Sequence, residues 1–160
     1  MLTSKQLEKT LEIAEKFYGT SSDPEQIPIT KDSFVRLMSI HQEAIKLETD
    51  GDDNPISWVV VVPTSKENME LFLENKVNEK ELFDKAVDEK SFEALYLCSA
   101  FTIPEYRGMG YAKKLLMDAI NEFASEKSVE LYAWVYSKEG ESLIKALIKD
   151  LDREIKIRKS

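Results

Sequence analysis

The sequence predicts a mixed α/β fold, with a central sheet flanked by helices, and three observations carry that reading. Two strand-sized apolar runs, Ile56 to Val62 and Ala94 to Ile103, each stop at a proline. Runs with apolar residues at i, i+3 and i+4, such as Ala112, Leu115, Leu116, Ala119, Ile120 and Phe123, alternate with them. A turn rich in small residues, Arg107-Gly108-Met109-Gly110-Tyr111-Ala112, joins the second apolar run to that helix.

The other elements follow in order. Leu7, Leu11, Ala14, Phe17 and Tyr18 recur at helical spacing and predict an amphipathic helix over 4–18, closed by Gly19 and the polar cluster up to Pro24. A second helix begins near Asp32 or Ser33, either of which can serve as N-cap, with Phe34, Leu37, Met38 and His41 on one face. Glu43 to Thr49 either extends that helix or forms a strand, and the strand is preferred. Asp50-Gly51-Asp52-Asp53-Asn54-Pro55 is a turn cluster, so the segments on either side form a hairpin. Residues 64–91 are polar and charged, with two short helices over 66–75 and 79–88. Such a solvated excursion between strands is often functional or a lid. Val129, Leu131, Ala133 and Val135 alternate as a strand; Leu143, Ile144, Leu147, Ile148 and Leu151 mark a last helix. Arg153 to Lys159 forms a short edge strand. With no repeat or interdomain linker, 1–160 reads as a single domain, with a helical N-terminal part over 1–48 and a helical insertion over about 64–91.

Composition narrows the function classes. The chain has 160 residues and a formal net charge of −8, which argues against a nucleic-acid binder with a basic face. Its acidic surface suits solubility and weakly favours cationic partners. One cysteine, Cys98, excludes an intrachain disulfide and points to a reducing, cytoplasmic setting. No apolar run approaches the roughly 20 residues that span a bilayer, so no membrane role is expected. No His/Cys/Asp/Glu group has metal-ligand spacing, and Asp50, Asp52 and Asp53 lack the bidentate Glu of a calcium loop.

The glycine turn is the clearest chemical signal. The first turn of a helix carries amides without intrahelical partners and the positive end of the helix dipole. Gly108 and Gly110 allow unusual backbone angles and close approach, and Arg107, Lys113 and Lys114 add positive charge. A P-loop needs Gly-Lys-Ser/Thr, which is missing. A dinucleotide fingerprint needs a small residue where Lys113 stands. Arg107-x-x-Gly110-x-Ala112, with its Ile103-Pro104-Glu105-Tyr106 lead-in and Lys114-Leu115-Leu116 beyond, resembles the Q/R-x-x-G-x-G/A signature of the GNAT superfamily of acyl-CoA-dependent N-acetyltransferases. The resemblance covers 94–136 strongly, 137–150 moderately, and the region before residue 55 poorly.

The resemblance implies a GNAT-like fold whose mostly antiparallel sheet splays between the strands 94–103 and 129–136. It implies acetyl-CoA as acyl donor, no metal, and an amine acceptor, either a small molecule or a lysine side chain. A homodimer is compatible with it. The CoA diphosphate would rest on the amides of Gly108, Met109, Gly110, Tyr111 and Ala112, with Arg107 and Lys113 as side-chain contributors. The pantetheine arm would lie along Ala100, Phe101 and Thr102. A neutral amine would attack the thioester through a tetrahedral oxyanion that an amide near Ala100 or Phe101 stabilises.

The catalytic groups match less well. Many family members carry an acidic tyrosine in the last helix, just before Gly-Phe. Leu147 or Ile148 stands there, with no Gly-Phe after it, and Tyr136 is a substitute candidate. Tyr96 occupies the position of a catalytic Glu in some relatives. A phenol with an ordinary pKa of about 10 is a poor base unless that value falls or a water relays the proton. A core or acceptor-pocket role competes for Tyr96. Glu93 lies near the same strand's start, with opposite parity. Cys98, with the parity of Tyr96 and Ala100, faces the cleft, but a buried structural thiol is its simpler role. His41, on an apolar helical face, reads as a core or boundary histidine. The leading expectation is an N-acetyltransferase; the alternative is an acyl-CoA-binding sensor or structural module without catalysis.

Overall fold

A five-stranded sheet orders the protein in our computed structural model, which describes residues 2–18, 26–28, 30–135 and 137–159. Its strands are β1 (Ile45–Thr49), β2 (Pro55–Thr64), β3 (Ala94–Thr102), β4 (Glu130–Trp134) and β5 (Ile155–Arg158), and they lie in sequence order. The helices are α1 (Ser4–Tyr18), α2 (Lys31–Ile40), α3 (Lys66–Leu73), α4 (Glu79–Glu89), α5 (Tyr111–Phe123) and α6 (Lys138–Leu151).

The mixed α/β architecture matches the expectation, and its pairing is finer than "mostly antiparallel". β1 with β2 and β2 with β3 are antiparallel; β3 with β4 and β4 with β5 are parallel. The parallel half follows from α5 and α6, each of which carries the chain back to the end from which it started.

Local chemistry sets the element ends. α2 starts at Lys31, earlier than expected, because Thr30 is its N-cap and accepts from the Ser33 amide at 3.1 Å. His41 lies outside that helix. Its backbone is extended, and its Nδ1 accepts from the Glu43 amide at 3.0 Å, capping a 3-10 turn over Gln42–Ala44. The strand β1 follows at once. The Asp50 carboxylate accepts from the amides of Asp52 and Asn54, which makes 50–54 a turn closed on itself. Pro63 does not stop β2, which runs on to Thr64. The β1 ladder ends at Ile45 opposite Val60, so Pro63 lies past it and a missing amide on that side costs no pair.

The two faces of the sheet bury different sets. Trp58, Val60, Val62, Ala94, Tyr96 and Tyr132 pack under α1 to α4. Val59, Val61, Leu95, Leu97, Leu131 and Ala133 pack under α5 and α6. The segment 64–91 therefore differs from the solvated excursion its polarity suggests. Met69 and Phe72 of α3 and Leu82, Phe83 and Ala86 of α4 are all fully buried. Ser65 caps α3, and a reciprocal Asn78/Glu81 capping box starts α4. The insertion is a roof over one face of the sheet, with its charges turned outward except that of Glu79.

Candidate functional site

β3 and β4 are paired only from Ala94 opposite Glu130 to Leu97 opposite Ala133. Beyond Leu97, β3 continues against β2 alone as far as Thr102. The ladder between the two strands therefore ends at Leu97, and from Cys98 onward β3 has no β4 partner. The parting coincides with a register shift. Val60 faces Ser99 and Val61 faces Leu97, so Cys98 is the extra residue of a β-bulge. The bulge reverses the alternation. Tyr96 and Cys98 face the α1–α4 side, whereas Ala100 packs on the α5/α6 side. This corrects the expectation that all three share one face, since strict period-two counting fails across an inserted residue. Phe101 returns to the α1–α4 side and packs, tilted, against the rings of Trp58 (4.7 Å) and Phe17 (5.3 Å).

The glycine turn follows the end of β3 that β4 leaves unpaired. Ile103 leads into a 3-10 turn over Pro104–Tyr106, and Gly108 and Gly110 both adopt φ +81°. Added β-carbons at either glycine would meet no atom within 4 Å, so the backbone angle, rather than crowding, demands glycine. Gly110 is also the N-cap of α5, and it offers no side chain to the first amides. Helices α2, α3, α4 and α6 contrast with it, since each is capped by its own Thr30, Ser65, Asn78 or Ser137. The α5 start also carries no acidic residue in its first turn. Residues 107–110 are exposed, Met109 at 62%.

The flanking cations are partly committed. Arg107 donates from Nε to the Thr102 carbonyl at 3.0 Å and lies over the Phe101 ring at 5.8 Å. Lys113 forms an ion pair with Asp150 of α6. Thr102 shares a 2.9 Å hydrogen bond between its hydroxyl and that of Ser57, which also donates to the Phe101 carbonyl. Ala100 and Thr102 are half-buried, and Phe101 is buried.

Tyr96 lies in the part of β3 still paired with β4 and is only 1% exposed. Its ring stacks on Tyr132 (5.2 Å) and meets the edge of Phe72 (4.9 Å). Its hydroxyl donates to Oε2 of Glu79 at 2.6 Å. Glu79 is the first residue of α4 and is 6% exposed; its other oxygen accepts from the Ile27 amide at 3.1 Å. The sequence reading missed Glu79, because nothing in the sequence separates it from the many acidic residues at helix starts. Tyr132 pairs with the Thr64 hydroxyl at 2.7 Å, and burial pushes its phenol well above the ordinary value. Desolvation, reinforced by the charge of Glu79, likewise holds the Cys98 thiol well above its ordinary value, against a smaller opposing bond to Ser99.

The remaining candidates fall elsewhere. Glu93 is exposed and accepts from the Lys66 amide at 3.2 Å, at the end of β3 away from the glycine turn. His41 rests against the rings of Phe123 (4.7 Å) and Phe92 (6.3 Å), near the C-terminal end of α5. Leu147 is fully buried and Ile148 is 37% exposed, so α6 offers no hydroxyl at either position. Tyr136 lies outside the described residues. Among the described residues no group of three or more His, Cys, Asp or Glu could hold a metal ion, and no helix is long and apolar enough to cross a membrane.

Comparison with known proteins agrees with this geometry. The sequence profile described as the Acetyltransferase (GNAT) family matches residues 50–147. No curated protein sequence matches the chain. Among solved structures, a mosquito arylalkylamine N-acetyltransferase like 5b superposes with a TM-score of 0.55 at 16% identity, over 90% of this chain and 78% of its own. A Corynebacterium glutamicum protein described as histone acetyltransferase HPA2 and related acetyltransferase gives 0.51 at 18%, over 91% and 80%. Chaetomium thermophilum Naa20, in complex with a bisubstrate analogue, gives 0.50 at 14%, over 88% and 66%. At these identities the similarity establishes the fold.

Two outcomes test the geometry. Gly110→Ala forces a β-carbon into the left-handed region without any clash, so urea denaturation should show a loss of about 1 kcal/mol. Gly51→Ala, which has open space and no positive φ, should leave stability unchanged. The raised Cys98 pKa keeps the thiol protonated at neutral and mildly alkaline pH. Iodoacetamide at pH 8 should therefore alkylate the native protein more slowly than the urea-unfolded chain.

Proposed function

The chain belongs to the Acetyltransferase (GNAT) family, and on that premise we propose that it transfers an acyl group, acetyl in the simplest case, from acyl-CoA to an amine. One observation carries the proposal. The α5 N-terminus has no side-chain cap and no first-turn carboxylate, two glycines at φ +81° precede it, and it follows the stretch of β3 that β4 leaves unpaired. Such an end offers amide donors and a positive dipole to a diphosphate. The parted strands offer a main-chain edge to an extended arm.

In this reading the amides of residues 108–112 hold the CoA diphosphate. The main chain of Ala100, Phe101 and Thr102 receives the pantetheine arm, with an amide of this stretch near the thioester oxygen. Arg107 serves first by bracing the turn against Thr102 and can turn its outer nitrogens to phosphate. Lys113 contributes by exchanging Asp150 for a phosphate oxygen. The amine enters from the α1–α4 side, where Trp58, Phe101 and Phe17 form an aromatic wall. The net charge of −8 favours a cationic acceptor, a small amine or a lysine side chain.

The second reading, acyl-CoA binding without transfer, rests on the absence of a hydroxyl at Leu147 and Ile148 and on the burial of Tyr96. Calorimetric CoA titration combined with thiol release from acetyl-CoA across an amine panel separates the two. We expect binding, and release that depends on the amine. Binding with no release across the panel supports the second reading, and an absence of CoA binding refutes both.

A further inference from the structure

We propose that Asp150 is an internal competitor of the donor's phosphates: it holds the Lys113 ammonium away from the glycine turn until an anion on that turn takes the ammonium over. The inference rests on the donor site proposed above and adds a regulatory contact to it, an ion pair that weakens the hold on CoA and closes again as CoA leaves.

Three cations flank the glycine turn. Arg107 is bonded to the Thr102 carbonyl, and Lys114 is exposed and enters no ion pair among the described residues. Lys113, in the first turn of α5, is held by a carboxylate, that of Asp150 in the last turn of α6. Neither charge is placed for the good of its own helix. A cation in a first turn faces the positive end of the dipole, and an anion in a last turn faces the negative end. The pair offsets both costs, and Lys113 keeps its use for a ligand anion at the start of α5. Both side chains stay partly exposed, at 38% and 41%, so solvent and ions reach the pair.

The fold gives the pair a direction. β3 and β4 are parallel and each is followed by its helix, so α5 and α6 leave the same end of the sheet. Their C-terminal ends meet, since Arg153, just beyond α6, donates to the carbonyl of Ala124, just beyond α5. The last turn of α6 thus lies toward the end of α5 opposite to the glycine turn, and the pair draws the ammonium that way. Once released, Lys113 swings back readily, because helix side chains tilt toward the N-terminus. The amides of residues 108–112 stand there. A diphosphate on them carries more negative charge than one carboxylate, so the exchange favours the ligand. No covalent bond changes. The step swaps one counter-ion for another, and its cost is one exposed ion pair.

Calorimetric titration of the full chain with CoA at low salt tests the exchange on wild type, Asp150→Asn, Lys113→Met and the double variant. Asp118→Asn, which removes an equal charge from an exposed position of α5, is the control. Asp150→Asn should tighten CoA binding about 2- to 5-fold, the range of an exposed pair, and Lys113→Met should weaken it. The double variant should bind as Lys113→Met does, because Asp150 acts through Lys113. Asp118→Asn should match wild type, and about 0.5 M sodium chloride should shrink the gain in Asp150→Asn. Each variant should melt within about 4 °C of wild type, the span of one such pair. Unchanged affinity in Asp150→Asn or in Lys113→Met overturns the proposal. So does an equal gain from Asp150→Asn in the Lys113→Met background, or from Asp118→Asn, since either marks unselective repulsion of the donor. A wild type that binds no CoA overturns the donor site itself, and this inference with it; a wild type that binds CoA, with variants indistinguishable from it, overturns this inference alone.

Discussion

The extra residue in β3 is the constraint on which the rest of the site depends. A parallel neighbour such as β4 pairs continuously only while both strands keep one twist and one register. The bulge at Cys98 adds a residue to β3, increases its local twist and ends the match to β4 at Leu97. Everything functional is placed relative to that break. The main chain of Ala100 to Thr102 loses its β4 neighbour, and the chain then turns through Gly108 and Gly110 into α5. Without the break, the edge offered to a ligand's extended arm would be consumed by sheet hydrogen bonds.

The break also divides labour between the two faces. The α5/α6 side is an apolar cluster that anchors the helix whose N-terminus, in the proposed function, meets the anion. The α1–α4 side mixes apolar and polar groups, with Glu79, Tyr96, Tyr132 and Thr64 buried among aromatic rings. Polar groups at such depth are tolerated because they are hydrogen-bonded to one another. The insertion roofs this face with the buried side chains of α3 and α4.

The fold was legible where periodicity and turn chemistry agreed. The α5 stripe from Ala112 to Phe123, the β-branched run of β2 and the 50–54 turn all read correctly, as did the glycine signature. Three features were hidden for identifiable reasons. Pro63 looked like a stop because a sequence does not show where the neighbouring strand ends. The shared face of Tyr96, Cys98 and Ala100 was misjudged because a bulge leaves no mark in residue type. The burial of 64–91 was invisible because Phe72 and Phe83 are diluted by lysines and glutamates that point outward. Glu79 belongs to the same class: its burial follows from its contact with Tyr96, with which it shares no local pattern.

The central claim is that the ligand lies along the parted end of β3 and on the start of α5. Amide hydrogen exchange with and without CoA tests it most directly. The account predicts that CoA slows exchange at residues 99–102 and 108–113, while β1 and the 50–54 turn stay unchanged. Slowing confined to other segments, with the β3 end and the glycine turn unaffected, would contradict it.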